Sequence, residues 1–201
     1  MHILLTDILT CPRCGPEFGL ILLADRVEER RVQTGVLGCS NCREKYAIRN
    51  GVVDFGAAPE PFAEAADGSP IERIAALLGV THGPAFVMLA GPAAAGAAAV
   101  AAMLADVEVV TLGAPTEAEE PAGVNRLLAA GPRLPLASMK VHGVALTGAA
   151  ADALLEEGAR AVSVLGRLVL EPAPADAAER LTRAGLRIAA QQDATVVAVR
   201  S

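Results

Sequence analysis

Cys11-Pro12-Arg13-Cys14 and Cys39-Ser40-Asn41-Cys42 are the residues of this sequence whose types and spacing most plainly do chemistry. Each C-x2-C places two thiolates on one tight turn, and the 24 residues between the pairs suffice for a hairpin that returns the second pair to the first. Four soft sulfur ligands at tetrahedral reach describe a closed zinc site. With every coordination position taken by protein, such a metal holds structure together and leaves no place for substrate. Disulfides fit less well, because the turns are too tight for internal bridges and no stretch like a secretory signal precedes the first pair. A metal-bound thiol set suits a reducing cytoplasm, the expected location.

The other candidates are weaker. His142 carries an imidazole, a side chain that can serve as a base, but no Ser, Cys or acid is paired with it, so a polar or capping role is expected. His82, in Thr81-His82-Gly83, reads as a loop residue. Glu108 lies inside a strand pattern and Glu117 in an acidic run with Glu119 and Glu120, both read as solvated. Gly91 reads as a tight strand-to-helix turn. There is no Walker loop, nucleophile elbow or second metal cluster in the pattern.

At 201 residues with 53% hydrophobic content, the chain is long enough for a real core in one or two domains. Its apolar runs are Ala-rich and broken by Gly, Pro and charge, short of the ~20 residues of a membrane span. Residues 1–55 carry seven Lys/Arg and seven Asp/Glu, whereas residues 56–201 carry ten against sixteen, the whole of the net charge of −6. Direct nucleic-acid binding is disfavoured, because neither part offers the basic footprint that phosphates require. The one local basic group is Arg26, Arg30 and Arg31.

Three segments follow from the patterning. In residues 1–55, Leu20–Leu23 and Gly35–Leu37 read as strands flanking a charged tip, Asp25–Arg31. Tyr46–Ile48 leads into Asn50-Gly51, a two-residue hairpin signal. A unit this small buries little, and zinc supplies roughly 10–16 kcal/mol of folding free energy in comparable modules. Residues 56–69 form a linker without period. In residues 70–201, Ser69-Pro70-Ile71-Glu72 reads as a capping box opening a helix that ends at Gly79. Strands are expected at 85–90, 107–112, 126–129, 141–147, 167–170, 186–190 and 195–199. Helices are expected at 93–104, 149–157 and 174–184. The alternation implies an α/β fold, a three-layer, mostly parallel Rossmann-like sheet closed by an antiparallel hairpin.

Residues 5–14, 39–42 and 46–52 resemble the small zinc-ribbon proteins that activate RNA and protein methyltransferases, with their "L-D-I-L-x-C-P-x-C" opening and "Y-P-I-x-D-G-I-P" ending. Ala47 and Val53 stand in place of prolines and Asn50 in place of Asp. Residues 70–201 resemble the class I S-adenosylmethionine-dependent methyltransferases through Arg133–Val144, Glu157–Val162 and Gly166–Leu170. That family's first strand ends in an acid and a Gly-x-Gly-x-Gly loop. Here the stretch reads Leu89-Ala90-Gly91-Pro92-Ala93-Ala94-Ala95-Gly96, without the acid and with one surviving loop glycine. The ribose-binding acid after the second strand is replaced at Gly113-Ala114, the adenine-edge acid near Ala130, and an Asp of the fourth strand by His142.

The expected protein is thus a zinc ribbon fused to a pseudo-methyltransferase whose cofactor site, near Gly91, Gly113 and His142, is degenerate. Catalytic and cofactor-binding residues are expected to be none; the metal ligands are Cys11, Cys14, Cys39 and Cys42. Its function is expected to be that of a non-catalytic scaffold or regulator. It would partner a methyltransferase or a translation-related, ribosome-associated complex, with the ribbon docked in cis or in trans and homo-oligomerisation left open. The alternatives are an active methyltransferase with an atypical cofactor site, and a pocket rebuilt for another small ligand.

Overall fold

The computed structural model describes residues 1–56, 70–112, 121–129 and 133–201. A short 3-10 turn, Ile3–Asp7, buries Leu5 and leads into the first cysteine pair. Strands β1 (Leu20–Glu28) and β2 (Arg31–Cys39) form a hairpin, and β3 (Lys45–Arg49) and β4 (Val52–Asp54) a second one. Asn50 and Gly51 take φ of 49° and 80°, the left-handed pair a two-residue turn needs. The first hairpin is longer than expected. Its charged residues stay in strand because the outer edge of β1 is solvated, and the chain turns at Glu29 and Arg30, with φ of 45° and 66°.

Beyond the undescribed 57–69 come α1 (Ile71–Leu78), β5 (His82–Ala90), a 3-10 turn (Gly91–Gly96), α2 (Ala97–Met103), β6 (Ala105–Leu112), β7 (Val124–Leu128) and β8 (Val141–Thr147). Then follow α3 (Ala150–Ala153), α4 (Leu155–Ala161), β9 (Val162–Glu171), α5 (Ala177–Arg183), β10 (Leu186–Gln192) and β11 (Thr195–Arg200). Helix α1 ends at Gly79 in the left-handed conformation, as its sequence demands. Its N-cap residue is Pro70 without a side-chain cap bond, and Ser69 of the expected capping box lies outside the described residues. The helix expected over 93–104 is 3-10 in its first part, where Gly91, Pro92 and Gly96 disfavour regular α-helix. The one expected over 149–157 is broken at Leu154, whose φ of −115° is not helical.

All eleven strands among the described residues join one sheet, in the order β1-β2-β3-β4-β7-β6-β5-β8-β9-β11-β10. From β4 to β9 neighbours run parallel, and β9-β11-β10 closes the sheet antiparallel. The ribbon is joined in cis through Val53 opposite Leu127 and Asp54 opposite Leu128. One core places α1 and α2 against Val87, Leu89, Val109 and Ala145. On the other face, α3, α4 and α5 pack on Met88, Val110, Val144 and Leu146. That core runs without a break into Leu5, Leu9, Leu37, Tyr46 and Ile48 of the ribbon. Three layers result, as the alternation of elements implied.

Candidate metal centre and the carboxyl edge of the sheet

The two cysteine turns are built alike. The amide of Gly15 donates to the Cys11 carbonyl and that of Arg43 to the Cys39 carbonyl, so each turn closes four residues after its first cysteine. Gly15 and Arg43 both adopt positive φ, 108° and 62°. The four sulfurs lie within 4.8 Å of one another, with Cys11 Sγ to Cys42 Sγ at 3.7 Å and Cys39 Sγ to Cys14 Sγ at 3.8 Å. A tetrahedral thiolate cage with metal–sulfur bonds of about 2.3 Å sets its sulfurs about 3.8 Å apart, so the donor set fits. Around it, the Tyr46 hydroxyl lies 3.2 Å from Cys11 Sγ, and Asn41 Nδ2 donates to Cys14 Sγ at 3.3 Å.

The sulfurs do not hold protons equally. Burial raises the Cys11 thiol, but the hydrogen bonds of Tyr46 and of the Cys14 and Arg13 backbone outweigh it and bring the pKa to about 7. At Cys42 the Glu44 amide favours the thiolate, yet burial and the neighbouring sulfurs prevail and push it up to about 12. Four thiolates crowded together repel, and a divalent cation is what permits all of them to ionise.

The metal turn also grips the second part of the chain. Leu9 bridges Leu136, the Thr10 amide donates to the Pro135 carbonyl, and the Ala137 amide donates to the Ile8 carbonyl. From behind, Arg160 donates to the carbonyls of Leu134 and Leu136 and pairs with Glu157 at 2.8 Å. Glu157 accepts from the Leu134 amide in turn. A cleft of about 320 Å³ lies between the first cysteine turn and these residues.

A second cluster joins the ribbon to β6 and β7. Arg31 pairs with Glu108 at 3.0 Å and donates to the Val124 carbonyl, while Asn125 donates to Glu108 at 2.7 Å and accepts from the His2 amide. Glu108 is therefore a half-buried partner of Arg31, and the solvated role expected for it does not hold. Sequence reasoning missed the pairing because nothing local links positions 31 and 108. Of the arginines that might have formed a basic patch, Arg31 is neutralised here and Arg26 pairs with Glu28 at 2.6 Å.

In doubly wound sheets, ligands bind outside the carboxyl ends of the strands, where strand order reverses. Here that point lies between β5 and β8. Leu89 is fully buried in the core. Gly91 has φ 76°, and a Cβ there would stand 1.9 Å from the Thr147 carbonyl oxygen, so the glycine serves contact between the two strand ends. The Thr147 hydroxyl donates to the Ala90 carbonyl and accepts from the Ala93 amide, and a Cβ on Gly148 would meet Pro92 at 3.0 Å. One amide of the loop that cradles cofactor in a doubly wound sheet is thereby spent on a side chain of the protein itself. Thr147 was not singled out from the sequence; a hydroxyl residue followed by glycine at a strand end was the available signal.

His142 does not share this edge. It is the second residue of β8, beside the position of Phe86, and lies roughly 16 Å from Gly91 at the usual rise per strand residue. Its alignment with a cofactor position is corrected accordingly: Nδ1 accepts the Phe86 amide at 3.2 Å, the role of a polar backbone partner. His82 opens β5 and is exposed. Gly113, Ala114, Glu117, Glu119, Glu120 and Ala130 lie outside the described residues. No described helix is long and apolar enough to cross a membrane.

No curated protein matches the chain. Among solved structures, it is similar to geranyl diphosphate C-methyltransferase from Streptomyces coelicolor A3(2), at 11% identity and TM-score 0.50. That match covers 72% of this chain and 91% of the other. A precorrin-6y C5,15-methyltransferase from Geobacter metallireducens aligns at 14% identity, TM-score 0.47, over 72% of this chain and 100% of that one. A chain from a complex of the Haloferax volcanii Trm112 methyltransferase activator aligns at 18% identity, TM-score 0.44, over 60% and 69%. At these identities the likeness is one of fold, a Rossmann-like methyltransferase sheet. The N-terminal segment is more specific: residues 2–51 match the family model described as Trm112p-like protein.

Proposed function

We propose that this chain is a non-catalytic scaffold or regulatory protein of a methyltransferase system, a zinc-stapled Trm112p-like ribbon docked in cis on a methyltransferase-like domain that does not use S-adenosylmethionine. Cys11, Cys14, Cys39 and Cys42 hold the zinc. With four thiolates it is saturated, so its chemistry is to crosslink the two turns. The activator character rests on the family of the ribbon, and a methyltransferase is the partner this reading names.

One observation carries the loss of catalysis. The ends of β5 and β8 are packed on each other through Gly91 and Thr147, with the Ala93 amide committed to the Thr147 hydroxyl. Sequence adds to it, since Leu89 and Gly113 stand where carboxylates would meet the cofactor. Charged hydrogen bonds contribute roughly 1.5–3 kcal/mol each, so losing the ribose contact alone weakens binding on the order of tenfold to a hundredfold or more. Calorimetry with S-adenosylmethionine and with its demethylated product is expected to give constants in the millimolar range or weaker. A micromolar constant for either would replace this reading with that of an active methyltransferase with an atypical site.

A further inference from the structure

We propose that the amino edge formed by β8 and β9, with the adjoining ends of β11 and β10, is a docking surface for an acidic, apolar segment of a partner protein, and that Leu165 is the side chain that enters it. Between Val162, opposite Val141, and Arg167, opposite Gly143, β9 carries four residues where β8 carries one. The extra residues form a bulge, Ser163 to Gly166. Its base is tight, since a Cβ on Gly166 would stand 2.8 Å from the His142 carbonyl oxygen and 2.9 Å from that of Ser163. Its tip is in water. Val164 is 58% exposed and Leu165 79%, the highest value among the large apolar side chains of the described residues.

Leu165 also holds φ at 63°, a left-handed conformation that glycine takes with less strain. Met139, just before β8, repeats the combination, with φ of 56° and 51% exposure. A turn needed only to reverse the chain would be better served here by glycine beside a polar residue. A strained, solvated leucine on a rigid base points instead to a contact made by its side chain.

Charge names the occupant. Lys140, Arg167 and Arg187 are all exposed at this edge, and Arg167 and Arg187 both stand opposite Val199. Arg167 also donates to the Leu77 carbonyl, which fixes its guanidinium at the end of α1. No Asp or Glu occurs in 138–143, 162–168, 186–188 or 197–200. On the adjoining helices, Glu157 and Glu179 are already paired with Arg160 and Arg183. The edge is therefore basic in a chain of net charge −6, and it favours a segment that brings carboxylates. A second copy across a two-fold axis would set the three cations against themselves. A lipid surface fits less well, because three cations fall short of the usual ~4–8 and the same four runs hold no aromatic residue. The assignment does not depend on the partner being the methyltransferase named above.

A photo-crosslinking amino acid at position 165 of the full-length chain, in its own host, tests the proposal. It is expected to capture a peptide of another protein with Asp or Glu beside aliphatic residues, and position 193, in the exposed turn at the other end of β10, is expected not to. The captured segment, synthesised, is then titrated onto the purified, metal-loaded chain. Leu165→Gly should weaken binding roughly tenfold or more yet keep or raise the melting temperature, because glycine relieves the left-handed strain. Lys140→Glu combined with Arg187→Glu should weaken it as much, and added salt should weaken the wild type. Vesicles of phosphatidylglycerol and phosphatidylcholine at about 3:7 should not co-sediment the chain. Captured protein that is no methyltransferase would support this surface while counting against the regulatory reading above. Absence of capture, capture of a second copy of this chain, a captured segment without carboxylates, or vesicle binding that Leu165→Gly removes would overturn the proposal. Binding unmoved by Leu165→Gly would do the same, and a clear drop in that variant's melting temperature would assign Leu165 to the fold instead.

Discussion

Gly91 and Thr147 act as a pair. A methyl group at position 91 would fall 1.9 Å from the Thr147 carbonyl oxygen, on a backbone whose φ of 76° already disfavours any side chain. Neither strand end can yield, because Ala90 and Thr147 are also tied by the threonine hydroxyl. Gly91→Ala should therefore destabilise the fold by about 3 kcal/mol or more. Urea titration of the variant checks this. A loss below about 1 kcal/mol would show that the loop relaxes away from β8 and that the crevice can open.

Strand β4 meets β7 over only two residue pairs, so side chains must secure the joint between ribbon and sheet. The His2, Arg31, Glu108 and Asn125 cluster does so, and it is sensitive to pH. Burial lowers the pKa of His2 from 6.5, the Arg31 and Arg30 charges and the amino terminus act the same way, and Glu108 opposes them. His2 Nδ1 is buried without a partner among the described residues. A group whose folded pKa is depressed in this way binds its proton more readily when unfolded. Its contribution is complete above the unfolded pKa of about 6.5 and is lost as pH falls toward the folded value. Melting temperature should accordingly drop between pH 7.5 and 5, and His2→Gln should shrink that drop. An unchanged drop in the variant would assign it to other groups.

At the scale of the whole molecule, one sheet and one uninterrupted core run from the ribbon to α5. The first cysteine turn holds residues 134–137 through backbone hydrogen bonds, and Arg160 holds the same segment from α4. Metal binding at the four cysteines is therefore expected to stabilise the α/β part as well as the ribbon. Elemental analysis is expected to find about one zinc per chain. Chelation should lower a single cooperative transition for the whole chain and raise amide exchange in β7 and β8. Two separate transitions, with only the first 55 residues responding to the chelator, would show that the joint carries little energy.

Local sequence alone determined the metal turns, the Asn50-Gly51 hairpin, the Gly79 helix stop and the order of strands and helices. Each rests on neighbours a few residues apart: thiol spacing, tolerance of positive φ, hydrophobic period. Leu89 and Gly113 raised the expectation of a degenerate cofactor site for the same reason, as departures at fixed positions in the motif that the resemblance supplies. Only the tertiary structure decided which long-range contacts those strand ends make. That Thr147 caps the Ala93 amide, that Glu108 answers Arg31 and that His142 stands at the far end of its strand are contacts between residues 54 to 77 positions apart, or consequences of strand direction. The cis joint of β4 with β7 is of the same kind. A parallel pairing across some seventy residues is chosen by which edge the folded sheet leaves open, and no local pattern encodes it.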